Sequence, residues 1–206
     1  MRYLTFALAK GRLAKKTLAL LEQIGITCEE MKDPDTRKLI FINEELKMKF
    51  FLSKATDVPT YVEYGAADIG VVGKDTILEE GRNLYEVMDL GFGKCRMCVA
   101  GPKDFRDSGE KKLKVATKFT NTARQYYAQS GRDIDIIKLN GSIEIAPILG
   151  LSDVIVDLVE TGTTLKKNDL AVLEVISSIS ARLIANKASF KFKNKEIETV
   201  VSRIKE

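Results

Sequence analysis

The 206-residue chain contains no histidine. That absence excludes Ser-His-Asp and Cys-His catalysis, histidine general bases and most transition-metal sites, all of which depend on imidazole. Cysteine is scarce as well: three residues, an odd number, do not make a disulfide framework. Cys95 and Cys98 form a C-x-x-C, but they fall in a strand pattern, where residues three apart point to opposite faces, so a redox or zinc pair is not expected. No apolar run approaches a membrane span, and the apolar residues 4–9 lack the basic flank and length of a signal peptide; the expectation is a cytoplasmic protein without a membrane partner. A dominant charge is missing too. The 33 basic and 29 acidic residues leave a net charge of +4, too small to imply nucleic-acid binding, and the basic stretch 187–195 reads as a solvated face.

What is present is ordinary for a soluble globular protein, with 45% hydrophobic and 30% charged residues. A chain of this length can bury a full core, as one domain or as two small lobes.

Residues 3–8 read as a buried strand, and Leu13, Leu18, Leu21 and Ile24 supply the apolar face of a helix ending at Gly25. Between them lies Ala9-Lys10-Gly11-Arg12, a tight strand-to-helix turn. Cations at a helix N-terminus face a dipole of their own sign, which a bound anion would offset; the other reading is that both side chains extend into water at a cost of a few tenths of a kcal/mol. Asp33-Pro34-Asp35 is a turn, and residues 38–42 and 46–52 read as two strands joined across 43–45. Asp57 is set to N-cap a helix with Pro59 in its first turn, Tyr61, Val62 and Tyr64 packing, and Gly65 ending it. Lys54, just before that helix, is a phosphate contact or simply a surface lysine. A strand follows at 68–72, then Gly73 and a helix from Asp75; Asp68 and Asp75 can be no more than caps. Further on, extended segments at 85–91 and 94–100, a strand at 113–117, a helix at 121–129 and a strand at 135–139 continue a βα rhythm that predicts right-handed crossovers and mostly parallel sheets. After the central stretch come a strand at 170–176, a helix at 180–186 and an amphipathic helix at 196–204.

The central stretch is 139–170. Val154-Ile155-Val156-Asp157 reads as a buried strand whose carboxyl end meets solvent, followed by Glu160-Thr161-Gly162-Thr163-Thr164. In open α/β sheets ligands sit at the carboxyl ends of strands. Gly162 lets the backbone turn, successive N–H groups can form a nest, and three threonine hydroxyls add donors, a combination suited to phosphate. Asp157 and Glu160 have the wrong charge for phosphate and suit sugar hydroxyls or a metal. The residues alone leave open a plainer reading, in which Thr163 or Thr164 caps a short turn and the acids are solvated.

The run GSIEIAPILGLSDVIVDLVETGTTL resembles the signature of the short-form ATP phosphoribosyltransferases, the first enzymes of histidine biosynthesis. ALAKGRL near the N-terminus, TDVPTYVEYGAADIGVVGKD and LEVISSISARLIAN are similar to the same family, in the same order. The resemblance implies an α/β fold of two lobes like the type-2 periplasmic binding proteins, with residues 1–90 and 180–206 in the first lobe and 91–179 in the second. It implies transfer of a phosphoribosyl group from phosphoribosyl pyrophosphate to N1 of the adenine of ATP, releasing pyrophosphate. The adenine nitrogen carries a free lone pair, so the missing histidine is no obstacle. By the same resemblance Thr161, Gly162, Thr163 and Thr164 cradle the sugar 5-phosphate, and Asp157 and Glu160 hold its hydroxyls. Lys10, Gly11, Arg12, Lys54, Gly141, Ser142 and Glu144 meet ATP or phosphates across a cleft. Magnesium is expected on the diphosphate, held by substrate and water rather than by a dedicated protein cage. The chain stops without the histidine-binding domain of longer members, and the resemblance to the short forms implies a homodimer and a hetero-oligomer with a regulatory subunit resembling histidyl-tRNA synthetase. The competing expectation is a non-catalytic two-lobed module that binds a small anion; the chain has no Walker-type or G-x-G-x-x-G motif for an ordinary nucleotide-binding regulator.

Overall fold

The computed structural model describes residues 3–33 and 36–205, so Pro34 and Asp35 of the expected turn lie outside the described residues. The chain forms two compact units, one of Met1–Gly93 with Ser180–Glu206 and one of Lys94–Ile179.

In the first unit, β1 (Leu4–Ala9) sends alternate side chains into two cores, as the period of a strand requires: Leu4, Phe6 and Leu8 to one side, Ala7 and Ala9 to the other. On the first side Phe6 stacks on Phe50 at 4.9 Å and meets the apolar faces of α1 (Arg12–Gln23) and α8 (Asn194–Lys205), which bury Leu21, Ile197 and Val200. Each such large side chain contributes roughly 1.5–3 kcal/mol when fully removed from water. On the other side α2 (Val58–Glu63) presses Val58 and Val62 against the sheet. The approach is close enough that a Cβ on Gly70 would stand 2.9 Å from a methyl of each. The sheet runs β2 (Ile40–Asn43), β3 (Met48–Ser53), β1, β4 (Ile69–Gly73), β11 (Ala181–Ala185), β5 (Tyr85–Asp89), with α3 (Lys74–Glu80) following β4.

The second unit has the strand order β10 (Leu170–Ile179), β6 (Cys95–Pro102), β9 (Val154–Val159), β7 (Leu113–Thr117), β8 (Ile134–Lys138). α4 (Thr120–Gln129) connects β7 to β8, and the single turns α5 (Ile145–Ile148) and α6 (Thr163–Lys167) flank β9 in sequence. One face of this sheet packs Cys98, Ala116, Ile155 and Val159 against Ile143, Ala146 and Leu165.

Several expectations need correction. Residues 180–186 are not helical: 181–185 form β11, antiparallel to both β4 and β5. Ala, Arg and Leu favour a helix weakly, but Ala181, Leu183, Ile184 and Ala185 are all buried, and the slot between two strands leaves no free backbone for a helix. Both sheets are mixed: among the described residues four of nine strand pairings are parallel, β1 with β3 and β4, and β7 with β8 and β9. Parallel order is thus limited to β3, β1 and β4 at the centre of the first sheet and to β9, β7 and β8 at one side of the second, where β8 is the edge strand. Asp57 occupies the N-cap position of α2 without a capping side-chain hydrogen bond, since a 3-10 turn at Ala55–Asp57 leads straight into the helix. Of the three residues expected to pack there, Val62 is buried and Tyr61 meets the Phe51 ring edge-on at 5.0 Å, but Tyr64 is 78% exposed.

The basic stretch is not uniformly solvated either. It forms α7 (Lys187–Phe192) and the start of α8, and the Lys193 ammonium donates to the Asp68 carboxylate at 2.6 Å. Asp68, far from being a cap, is buried and also accepts from the Thr5 backbone N–H at 2.8 Å and the Ser189 hydroxyl at 2.7 Å. Asn186 caps α7 through Ser189 N–H and donates to the carbonyls of Val62 and Glu63.

Candidate functional site

The second unit carries an open pocket of about 250 Å³ at the carboxyl end of β9, formed largely by Asp157, the loop 160–164 and Glu144. β9 runs parallel to β7, as expected, and antiparallel to β6. It continues two residues beyond Asp157, so the acid sits inside the last turn of the strand's ladder rather than after it. Ile155, Asp157 and Val159 alternate onto one face, which places the carboxylate between apolar neighbours.

That position governs its acidity. Burial pushes the Asp157 carboxyl above the ordinary carboxylate range, opposed by the Leu158 backbone N–H that donates to its Oδ1 at 2.8 Å and by the positive charge of Lys118. The Glu144 charge acts in the same direction as burial.

The loop is built around Gly162, whose φ of 75° and ψ of 7° lie in the left-handed region. It forms the N-cap of α6, displacing Thr163 and Thr164 from the capping role into the first helical positions. The Thr161 and Thr163 hydroxyls meet at 2.9 Å, and Thr163 N–H points to Thr161 Oγ1 at 3.4 Å. A glycine turn, converging hydroxyls and a helix start together form a surface of donors for anionic oxygens.

Residues 141–144 stand partly with this loop. Glu144 is the N-cap of α5 and lines the pocket. Ser142 has a φ of +47°, a conformation that costs an L-residue of order 1–2 kcal/mol and that clusters at functional sites. The helix after this turn starts at Ile145 and makes a single turn.

The other predicted contacts belong to the first unit. Lys10 follows β1 and Lys54 follows β3, two parallel strands whose last register pair is Ala9 with Ser53. The Lys10 N–H bonds to the Ser53 carbonyl at 2.9 Å, so the two lysines leave adjacent strand ends together. Gly11, the N-cap of α1, has a φ of 99° and a ψ of −146°, a region open only to glycine, and this lets the chain turn directly from strand to helix with Lys10, Gly11 and Arg12 exposed.

One residue beside Asp157 was missed from sequence. Lys118 follows β7 one step past the register pair Thr117 and Val156, level with Asp157 on the neighbouring strand. A lysine ending a strand is visible in the sequence; its adjacency to Asp157 depends on strand order, which is not. Among the described residues no group of three or more Cys, Asp or Glu is gathered as a metal site.

Comparison with known proteins bears on the whole chain. The family model described as ATP phosphoribosyltransferase matches residues 54–206. A curated ATP phosphoribosyltransferase from Lachnoclostridium phytofermentans is 63% identical over 100% of this chain and 97% of its own length. Among solved structures, the ATP phosphoribosyl transferase (HisG:HisZ) complex from Thermotoga maritima aligns with a TM-score of 0.85 at 35% identity, covering 98% of this chain and 96% of that one. The periplasmic aliphatic sulphonate binding protein SsuA from Escherichia coli aligns with a TM-score of 0.61 at 14% identity over 99% of this chain and 72% of that one, a likeness of fold alone. With an identity this high along its full length, the chain belongs to the ATP phosphoribosyltransferase family.

Proposed function

We propose that the pocket of the second unit holds phosphoribosyl pyrophosphate and that this chain transfers its phosphoribosyl group to ATP, the first step of histidine biosynthesis. The observation that carries this assignment is the pairing, in one pocket, of a donor-rich threonine loop with a desolvated carboxylate. The loop 160–164 takes the 5-phosphate through backbone N–H groups and hydroxyls, and Asp157, with Glu160, accepts hydrogen bonds from the ribose hydroxyls.

In the reaction the N1 lone pair of adenine forms a bond to C1 of the sugar while the C1–O bond to diphosphate breaks, and that electron pair leaves with pyrophosphate. No base is needed to start the attack. Catalysis rests on positioning and on stabilising the departing diphosphate as positive charge builds on the ring. Lys10, Arg12 and Lys54 supply cations for phosphates, and the turn at Gly141 and Ser142 leads into Glu144, which lines the sugar pocket. Magnesium would be held chiefly by diphosphate oxygens and water rather than by a protein cage, and would offset the charge of the departing diphosphate. The reaction belongs in the cytoplasm, where ATP is available. A regulatory subunit of the HisZ kind is the partner this assignment calls for, and the complex from Thermotoga maritima supports it.

The test is pyrophosphate release from ATP, phosphoribosyl pyrophosphate and magnesium, with the purified chain alone and with a HisZ-type subunit added. Release that requires both substrates and rises with the subunit is the expected result. Tight binding of the sugar diphosphate with no release in either mixture would instead identify a binding module.

A further inference from the structure

The pocket at β9 has an electrostatic deficit. Its charged lining residues are Glu144, Asp157 and Glu160, all acidic, and no cation lines it. Within this lining a sugar phosphate would meet three carboxylates against neutral hydroxyls and N–H groups. Like charges oppose binding, and a cation close to the carboxylates in this unit would offset them at the sugar itself.

We propose that Lys118 is that cation: a sugar-phosphate contact that also acts as the counter-charge of Asp157. The inference rests on the assignment of this pocket to phosphoribosyl pyrophosphate. Strand register carries it. Ala116 of β7 pairs with Ile155 of β9, both packed in one core cluster on one face of the sheet. One step past the last register pair, Thr117 with Val156, Lys118 leaves the end of β7 level with Asp157 on the neighbouring parallel strand, and its positive charge reaches the Asp157 carboxyl. The position is held firmly: the buried Thr117 hydroxyl donates to the Val156 carbonyl at 2.6 Å and accepts the Phe119 N–H at 2.8 Å, which ties the start of the loop to β9 immediately before Asp157. Beyond it the Lys118 ammonium rests 4.6 Å from the centroid of the buried Phe119 ring. It acts on Asp157 electrostatically yet forms no ion pair within bonding distance among the described residues, so its donors stay available to a ligand.

The groups facing Asp157 are then Cys98 from β6, Lys118 after β7, Glu144 from the cap of α5 and Glu160 from its own loop. Lys118 is the one cation among them, and its loss acts on both substrate and carboxylate.

The experiment compares wild type, Lys118→Ala and Lys118→Arg by calorimetric binding of phosphoribosyl pyrophosphate and by steady-state kinetics across pH. Loss of one charge-assisted contact predicts binding weakened about 10- to 100-fold in Lys118→Ala, with KM for ATP within about twofold and most affinity restored in Lys118→Arg. The acid limb of kcat/KM for the sugar substrate should also move to higher pH in Lys118→Ala, because Asp157 loses the charge that favours its ionised form; a purely structural role would not move it. Wild-type binding retained by Lys118→Ala with an unmoved acid limb overturns the proposal while leaving the pocket assignment standing. If wild type itself fails to bind the sugar diphosphate, the pocket assignment falls and this proposal with it.

Discussion

At the scale of single residues, Asp157 is held where the fold does not favour it. A carboxyl raised by burial costs stability whenever it is ionised. Below the ordinary carboxyl range it is protonated in both the folded and unfolded states and contributes no pH dependence. As pH rises from there to the elevated native value, the unfolded chain releases a proton that the folded chain retains, so stability falls across that window and is level above it. Asp157→Asn should therefore melt at the wild-type temperature or higher at pH 7, the difference shrinking as pH drops below the native titration, while pyrophosphate release collapses. A lower melting temperature for the variant at neutral pH would mean that the carboxylate is a structural group. Cys98, the neighbour of Asp157 across the β6 pairing, is buried and its thiol is pushed up by desolvation, which suits an apolar wall rather than a nucleophile.

At the scale of elements, two glycines do different work. Gly162 turns the loop through a positive φ, and a Cβ there would meet nothing closer than a Val159 methyl at 3.7 Å. Gly162→Ala should cost about 1–2 kcal/mol through backbone strain alone, and it should raise KM for the sugar substrate because the loop shifts. Gly70 has no positive φ but faces two methyls at 2.9 Å, so Gly70→Ala overpacks the contact of α2 with β4 and should cost about 1–3 kcal/mol. Its KM should stay as in wild type. Chemical denaturation together with kinetics separates the two, and a KM change in Gly70→Ala matching that of Gly162→Ala would contradict the distinction. The misassigned segment 181–185 shows the limit of element-level reasoning: its composition suits a helix, and only the two strands waiting on either side make it β11.

At the scale of the molecule, the C-terminal segment is bound into the first sheet by one buried polar cluster. Asp68, just before β4, receives Lys193 and Ser189 from more than a hundred positions away and the Thr5 N–H from 63 positions away. Lys193→Ala leaves a buried carboxylate short of its cation and should cost about 3 kcal/mol, the low end for breaking a buried pair because two hydrogen bonds remain. Lys191→Ala, on the same basic stretch, should cost less than about 0.5 kcal/mol as an ordinary surface change; equal losses in the two variants would show that the cluster does not anchor the segment. By itself the sequence determined the strands at 113–117 and around Asp157, the helices starting at Arg12 and near Thr120, the glycine-centred threonine loop and the family, because each is written in local periodicity or in a contiguous run of residues. Only the tertiary structure decided that 181–185 is a strand, that Asp68 and Lys193 meet, that Asp157 is desolvated and that Lys118 stands beside it. Those outcomes depend on which strands become neighbours and what they exclude from water, and pairing partners chosen across a hundred residues leave no local trace.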